Sequence, residues 1–443
     1  MTILSAIITP SNILTAGNVV TLTNKTIDTA SNTLAIAGGD ITTGTVGTAR
    51  LATGTADGTT YLRGDGTWAA AGLTYFTDSE NAAGVNATVP VDALTVANAG
   101  TNVDVALVPK GTGAVLAQIP DGTTTGGDKR GNYAVDWQII RTNSINVASG
   151  TYAVVSGGSD NSATSSWTVV SGGRLNDAIS AYSTIGGGSG NTASSIYATI
   201  GGGSSNTASN SYATVAGGVS NNASGQYSFA AGYANVASGT YSFVGGRSNS
   251  AIGAYSFAAG YGVQATATST AAFGYFARAD GVYSTAMGYY SAARLRNNVL
   301  VIGSNGIANS IPGSCQTSIM QVGAQTTSAT PTVLTGSLST SYLYQNRMDP
   351  SSAYAFKIML IAGVTGGGDT KAWELTGCVK RGASGAPTLV GAFTKTVIAA
   401  DAGASTWDCD IVMATDAFTV QATGQASTTI RWSASIYSSE FDY

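Results

Sequence analysis

Cleavage of a polysaccharide needs two carboxylates flanking a scissile bond, so the acids of this 443-residue chain come first. Asp160, Asp177 and Asp280 are spread through its middle; Asp349, Asp369, Glu374, Asp401, Asp408, Asp410, Asp416, Glu440 and Asp442 lie in the last third. Those of the middle each fall in a different repeat, and those of the last third read as solvated loop and strand faces. Asp408 and Asp410 alternate on one strand face, where a cation could bind but solvent exposure is the plainer expectation. The chain has no histidine. That removes Ser-His-Asp and Cys-His nucleophiles and the commonest metal ligand. Cys315, Cys378 and Cys409 lack CxxC spacing and are expected as buried free thiols, with a Cys378–Cys409 bridge as the minority reading. Glycine pairs recur in every repeat, so they read as turns rather than phosphate cradles. No catalytic residue, metal or cofactor is expected: the sequence reads as a non-enzyme.

Binding is the other chemistry available. Tyr152, Trp167, Tyr182, Tyr197, Tyr212, Tyr227, Tyr241 and Tyr255 recur at one place in successive repeats. They could stack sugars, but their identical spacing favours stacking on one another. Tyr342, Tyr344, Arg347, Lys380, Arg381 and Trp407 are the candidate receptor contacts, expected on loops at the free end of a rigid module. A pI near 4.8 without basic clusters argues against nucleic acid. No apolar run reaches about 18 residues, so no membrane-inserting helix is expected. The start, Met1-Thr2-Ile3-Leu4, shows no signal-peptide pattern.

Those residues need elements to hold them, and the middle of the chain is a repeat. Asn146-Val-Ala-Ser-Gly-Thr-Tyr152 returns as Asn161 to Trp167, Asn176 to Tyr182, Asn191 to Tyr197, Asn206 to Tyr212 and Asn221 to Tyr227, at steps of 15 residues. The step then shortens to 14, through Asn235 and Asn249 to weaker copies at Val263 and Ala277, making ten units. Each unit offers Asn and Gly as turn residues able to take the left-handed region. An aromatic and a short β-prone pair such as Val169-Val170 or Thr199-Ile200 follow, and glycines close the unit. Only 9% of residues are charged while 43% are hydrophobic, which excludes a disordered tract. A unit of this length suits one coil of a β-solenoid.

Between Ala178 and Gly246 there is no Asp, Glu, Lys or Arg. Stacked coils would set each charge about 4.8 Å from its copy, a repulsive ladder. Two short strands per coil enclose little volume, so the Val, Ile and Ala side chains are expected to find partners in other copies. Three rolls sharing an apolar axis would provide them, folding cooperatively.

Asn-x-Ala-Ser-Gly-x-Tyr-Ser-x-Val-x-Gly-Gly resembles the head repeats of trimeric autotransporter adhesins (YadA-like heads). The resemblance covers Asn146 to about Tyr290 and implies a left-handed parallel β-roll in a homotrimer. The 15-residue units depart from it by one extra residue per turn. Leu22-Thr-Asn-Lys-Thr-Ile-Asp28, Gly58-Thr-Thr-Tyr-Leu-Arg-Gly-Asp-Gly-Thr-Trp68 and Val103-Asp-Val-Ala-Leu-Val-Pro-Lys-Gly-Thr-Gly113 are similar to segments of tailed-bacteriophage tail fibre and receptor-binding proteins. Gly368-Asp-Thr-Lys-Ala-Trp-Glu374 and Ile430-Arg-Trp432 resemble C-terminal modules of such fibres.

The expected organisation is all-β. Residues 1–70 would attach to the virion, 71–145 form a β-rich neck, 146–304 the β-roll and 305–443 an antiparallel β-sandwich. Its strands are expected at 355–361, 372–379, 388–392, 406–413, 417–422 and 428–436. The fibre resemblance implies a virion appendage that adheres to a host bacterial surface by multivalent contact. Its partners would be itself as a homotrimer, tail or baseplate proteins through the N-terminal segment, and a surface glycan or outer-membrane protein. The alternatives are a tailspike-type polysaccharide depolymerase and a purely structural capsid, neck or tail fibre.

Overall fold

The computed structural model describes residues 107–304, 312–336 and 345–443, and, of the preceding residues, four short strands. The chain divides into two units, Met1–Ala106 and Leu107–Tyr443. In the first, Thr60–Leu62 pairs with Trp68–Ala70 and Phe76–Glu80 with Asp92–Val96, both antiparallel.

The second unit is a parallel β-solenoid followed by long antiparallel strands, and helix among its described residues is confined to a 3-10 turn at Ala402–Ala404. Each coil contributes two strands. In the 15-residue coils one carries a β-branched residue inward, as in Thr184–Ile185 and Thr199–Ile200, paired in parallel register Ile185↔Ile200. The other carries alanine inward, and its copies form a nine-stranded parallel sheet. Strands of the first kind already occur at Val115–Leu116 and Val135–Asp136, so the solenoid begins before Asn146.

The expectation that the apolar side chains need other copies is corrected here. Val155, Val170, Ile185, Ile200 and Val215 are 0% exposed in the single chain, as are Ala163, Ala178, Ala193, Ala208 and Ala223 on the other strand. In the 15-residue coils a branched side chain against an alanine fills the space between the two strands. In the later coils Ala230, Ala258, Ala272 and Ala286 take the branched residue's place and are equally buried, so the coils have their own core.

Asparagine has a different role from the one expected. Its side chain is buried at Asn176, Asn191 and Asn206. Asn191 Nδ2 donates to the carbonyls of Gly187 and Gly203, both at 3.0 Å, while its Oδ1 accepts the backbone N–H of Asn206 at 3.0 Å. Repeated along the roll, this satisfies buried backbone groups that neither strand pairs. The glycine pairs take positive φ as expected, but Asn does not. One left-handed corner of each coil falls on the residue before it and another on the aromatic, where φ is 56° at Trp167, 61° at Tyr182 and 58° at Tyr197. That conformation costs a bulky residue roughly 1–2 kcal/mol, and ring stacking offsets it. From Tyr133 to Tyr255 consecutive rings lie 4.8 to 5.6 Å apart.

The change of step from 15 to 14 residues is a β-bulge. Val215 pairs with Ala230 and Gly217 with Ala231, leaving Ala216 as the extra residue. Before it, the strands of this stack are two residues long and turn at glycines such as Gly202 (φ 156°). After it they run for five, as in Phe229–Tyr233.

The stack continues without a break past the last coil. Val299–Gly303 pairs antiparallel with Cys315–Thr326, covering Gln316 to Met320. Ile430–Asp442, Ser352–Val364, Thr370–Arg381 and Thr394–Ala400 then follow in order. These strands of seven to thirteen residues overhang the solenoid on one side. A smaller antiparallel sheet, Thr332–Val333, Asn346–Arg347, Ala417–Thr423 and Asp408–Met413, meets the long one through Phe418 against Phe356 at 5.3 Å and Trp407 against Trp432 at 6.1 Å. The Gly366–Gly368 turn joins an antiparallel pair. Cys315–Thr326 and Thr394–Ala400 were not foreseen, and the last strand runs on to Asp442.

Candidate functional site

Of the candidate contacts, Tyr342 and Tyr344 lie outside the described residues. Trp407 is only 1% exposed, and its indole N–H donates to Gln425 Oε1 at 3.2 Å. Its place between the two sheets removes it as a surface contact. Arg347 is held by Asp416 at 2.9 Å. Arg381 donates to the carbonyls of Gly385 at 3.0 Å and Met348 at 2.5 Å. Both guanidiniums therefore clamp backbone and neighbouring strands, and Lys380 beside them is exposed. Arg381 pairs across from Ser352, at the end of the long strands opposite the overhang.

The overhang holds what the sequence did not reveal. On the outward face Ile361, Gly323 and Gly363 make the floor of an open groove of about 840 Å³, with Ser433, Gln325, Thr370 and Arg431 on its edge. Strand register explains it: Gly323, Ser433 and Ile361 are cross-strand partners in one row, and Gln325, Arg431 and Gly363 in the next. Ile361 is 53% exposed. The alternation of Ser352–Val364 was readable, and Met359 and Ile361 on its outward phase were the available signal.

Carboxylates gather at the junction of solenoid and long strands. Arg296 is fully buried and holds Glu440 through Nη1 at 2.5 Å and Nη2 at 2.9 Å. Gln316 and Ser318 also donate to that carboxylate. Burial opposes the Glu440 charge, but Arg296 outweighs it and keeps the carboxyl below its usual range. Arg294 binds Asp442 at 2.8 Å and Asp349 at 3.3 Å. Burial pushes the Asp442 carboxyl up despite Arg294. A cavity of about 280 Å³ beside them is lined by Arg278, Asp280, Arg294, Arg347 and Asp349.

Asp408 is paired with Lys395 at 2.8 Å, and Asp410 is exposed. Among the described residues no group of acids and cysteines has the arrangement of a metal site. All three cysteines are free, and Cys409 is buried. Its thiol is pushed up to about 12 by burial. Of the Tyr and Trp column, each inner ring has both faces covered by neighbours, so only the edges reach solvent.

No protein-family model and no curated protein matches the chain. Among solved structures it is similar to the tailspike protein gp49 of Acinetobacter baumannii bacteriophage Fri1, described as a capsular polysaccharide depolymerase. That match has 7% identity and a TM-score of 0.20, and covers 69% of this chain and 55% of the other, so the chain spans about half that tailspike's length. It is also similar to the tailspike protein of Acinetobacter phage vB_ApiP_P1, at 9% identity and a TM-score of 0.21 over 74% of each chain. Beside a structure described as a depolymerase the expectation of a non-enzyme is withdrawn.

Proposed function

We propose that the chain is a fibre of a bacteriophage virion that holds a bacterial surface polysaccharide. The observation that carries this is the groove in the strand overhang. It combines an apolar floor with a guanidinium, an amide and a hydroxyl on its edge, the mixture a pyranose ring presents in reverse. It sits on rigid antiparallel strands continuous with a nearly uncharged rod. Attachment to the particle through residues 1–70 and assembly as a homotrimer belong to the same proposal. Exposed apolar side chains elsewhere on the outward face of the long strands support the trimer: Met359, Tyr437 and Phe441 are 38 to 43% exposed. Three grooves per fibre would turn weak contacts into avidity.

The test is competition. Purified full chain, added to the bacterium before phage that carry it, is expected to slow adsorption in proportion to its concentration. Unchanged adsorption by a folded chain at saturating concentration overturns the proposal.

A second reading, a tailspike-type depolymerase, is favoured by the carboxylates at the junction of solenoid and long strands. Asp349 and Asp442 share Arg294, and Asp442 is biased toward its protonated form, as a general acid requires. Release of reducing ends from host polysaccharide, lost in Asp349→Asn and Asp442→Asn, would establish it. No release by the full chain removes it.

A further inference from the structure

The aromatic column has a gap. Tyr255, Ser269 and Tyr283 occupy equivalent left-handed corners in three successive coils, with φ of 56°, 56° and 58°. The backbone ladder runs through unbroken: the N–H groups of Tyr255, Ser269 and Tyr283 donate to the carbonyls of Thr240, Ala254 and Thr268. Only the ring is missing at the middle position. Tyr255 still stacks on Tyr241 at 5.2 Å, so the face it turns toward Ser269 is uncovered. Tyr255 and Tyr283 are 62% and 60% exposed, against 40 to 50% for the rings from Tyr152 to Tyr241.

Two coil rises separate Tyr255 from Tyr283, about 9.6 Å. A flat group midway would lie about 4.8 Å from each ring, the spacing of the filled column. A neighbouring column shows what such a space accepts. Tyr233, Arg247 and Tyr261 are register partners in three successive coils, and the Arg247 guanidinium lies 5.4 Å from both ring centroids. There a planar side chain fills the place of a ring; the serine side chain is too short to do so.

We infer that Tyr255 and Tyr283 form a clamp, floored by Ser269, for one neutral pyranose ring. From Ser248 to Ala277 the chain has no charged residue, and the two charges that follow, Arg278 and Asp280, pair with each other at 3.0 Å. Thr268 is exposed and Ser269 half-buried, so both offer hydroxyls beside the gap. A C–H face of the sugar packs on each aromatic face, as apolar surface packs on rings elsewhere. The choice of a sugar as occupant rests on the polysaccharide-binding proposal; the clamp itself rests on the column.

The experiment is saturation-transfer NMR of the full chain carrying Ile361→Asp, which removes the groove's own sugar contact from the signal, with methyl glucopyranoside, galactopyranoside and mannopyranoside; the variants below are made in that background. Saturation is expected to reach the ring protons of at least one sugar and to fall roughly tenfold or more in Ser269→Tyr, which completes the column with a ring its neighbours already accommodate. Tyr283→Ala is expected to lose the signal too, and Ser269→Ala to keep it. Transfer that is absent for all three sugars, or undiminished in Ser269→Tyr, overturns the clamp. So does a lower assembly state of Ser269→Tyr with sugar contact unchanged, which would assign the gap to a side chain of a second copy. Adsorption competition, read in parallel, separates the two proposals: a chain that competes but shows no clamp signal loses only the clamp, and one that holds sugar without competing loses only the fibre reading.

Discussion

Arg296 and Glu440, 144 positions apart in sequence, meet in a two-pronged ion pair with both side chains at 0% exposure. The arginine follows the last repeat and the glutamate stands near the chain end, so the pair fastens the closing strand to the solenoid. Burying two charges is costly, and the surrounding donors repay it only if every partner is present. Glu440→Gln leaves Arg296 buried without its counter-charge and is expected to cost about 3–5 kcal/mol. Thermal unfolding followed by tryptophan fluorescence should show it, because Trp373, Trp407 and Trp432 all lie in the terminal module.

The same pair sets an acid limit. Arg296 holds the Glu440 carboxyl below its usual range despite burial. Its contribution is therefore complete above the unfolded value, about 4.3, and is lost as pH falls through the lower folded value. The terminal module should melt at progressively lower temperature below that pH. In Glu440→Gln the acid slope should be shallower. Equal slopes in the two chains would show that the pair carries none of the dependence.

Tyr197 offers a separation of strain from stacking. Tyr197→Ala removes two ring contacts, of 4.8 and 4.9 Å, but keeps a left-handed corner that alanine disfavours. A loss of roughly 1–3 kcal/mol is expected. Tyr197→Gly relieves the corner and should recover part of it against alanine. Chemical unfolding of the pair of variants measures the difference, and an alanine chain more stable than the glycine chain would contradict the assignment of the strain.

Core substitution tests whether each coil supports itself. Ile200→Ala leaves a hole inside one chain and should cost about 2–5 kcal/mol without changing the sedimentation coefficient. Dissociation of an assembly instead would mean that Ile200 faces another copy.

Cysteine labelling checks the terminal module. Cys409, buried and with its thiol pushed up to about 12, should resist iodoacetamide at pH 8 in the folded chain, while the half-buried Cys315 and Cys378 react sooner. Rapid alkylation of Cys409 would contradict its packing.

Much of the solenoid was legible because identical coils write their geometry as a period. The Val and Ile positions, the aromatic column and the extra residue of the 15-residue units all follow from it. The role of Asn191 did not, since a turn asparagine and a buried ladder asparagine have the same spacing. Ile200 was misassigned to a shared axis because volume inside a coil depends on what stands opposite, and Ala208 stands there as a small partner. In the terminal module Trp407 looked like a contact residue by type alone. The overhang that creates the groove at Ile361 depends on Val299–Gly303 stopping short of its partner, a register that local sequence does not encode.

The claim on which the rest depends is that the groove grips a polysaccharide. Binding of the labelled full chain to intact bacteria and to bacteria treated with periodate, which opens sugar diols, measures it most directly, with Ile361→Asp as the groove variant. Binding should fall sharply on treated cells, and on untreated cells for the variant at unchanged melting temperature. Equal binding of the wild-type chain to both preparations, or full binding by Ile361→Asp, would contradict it.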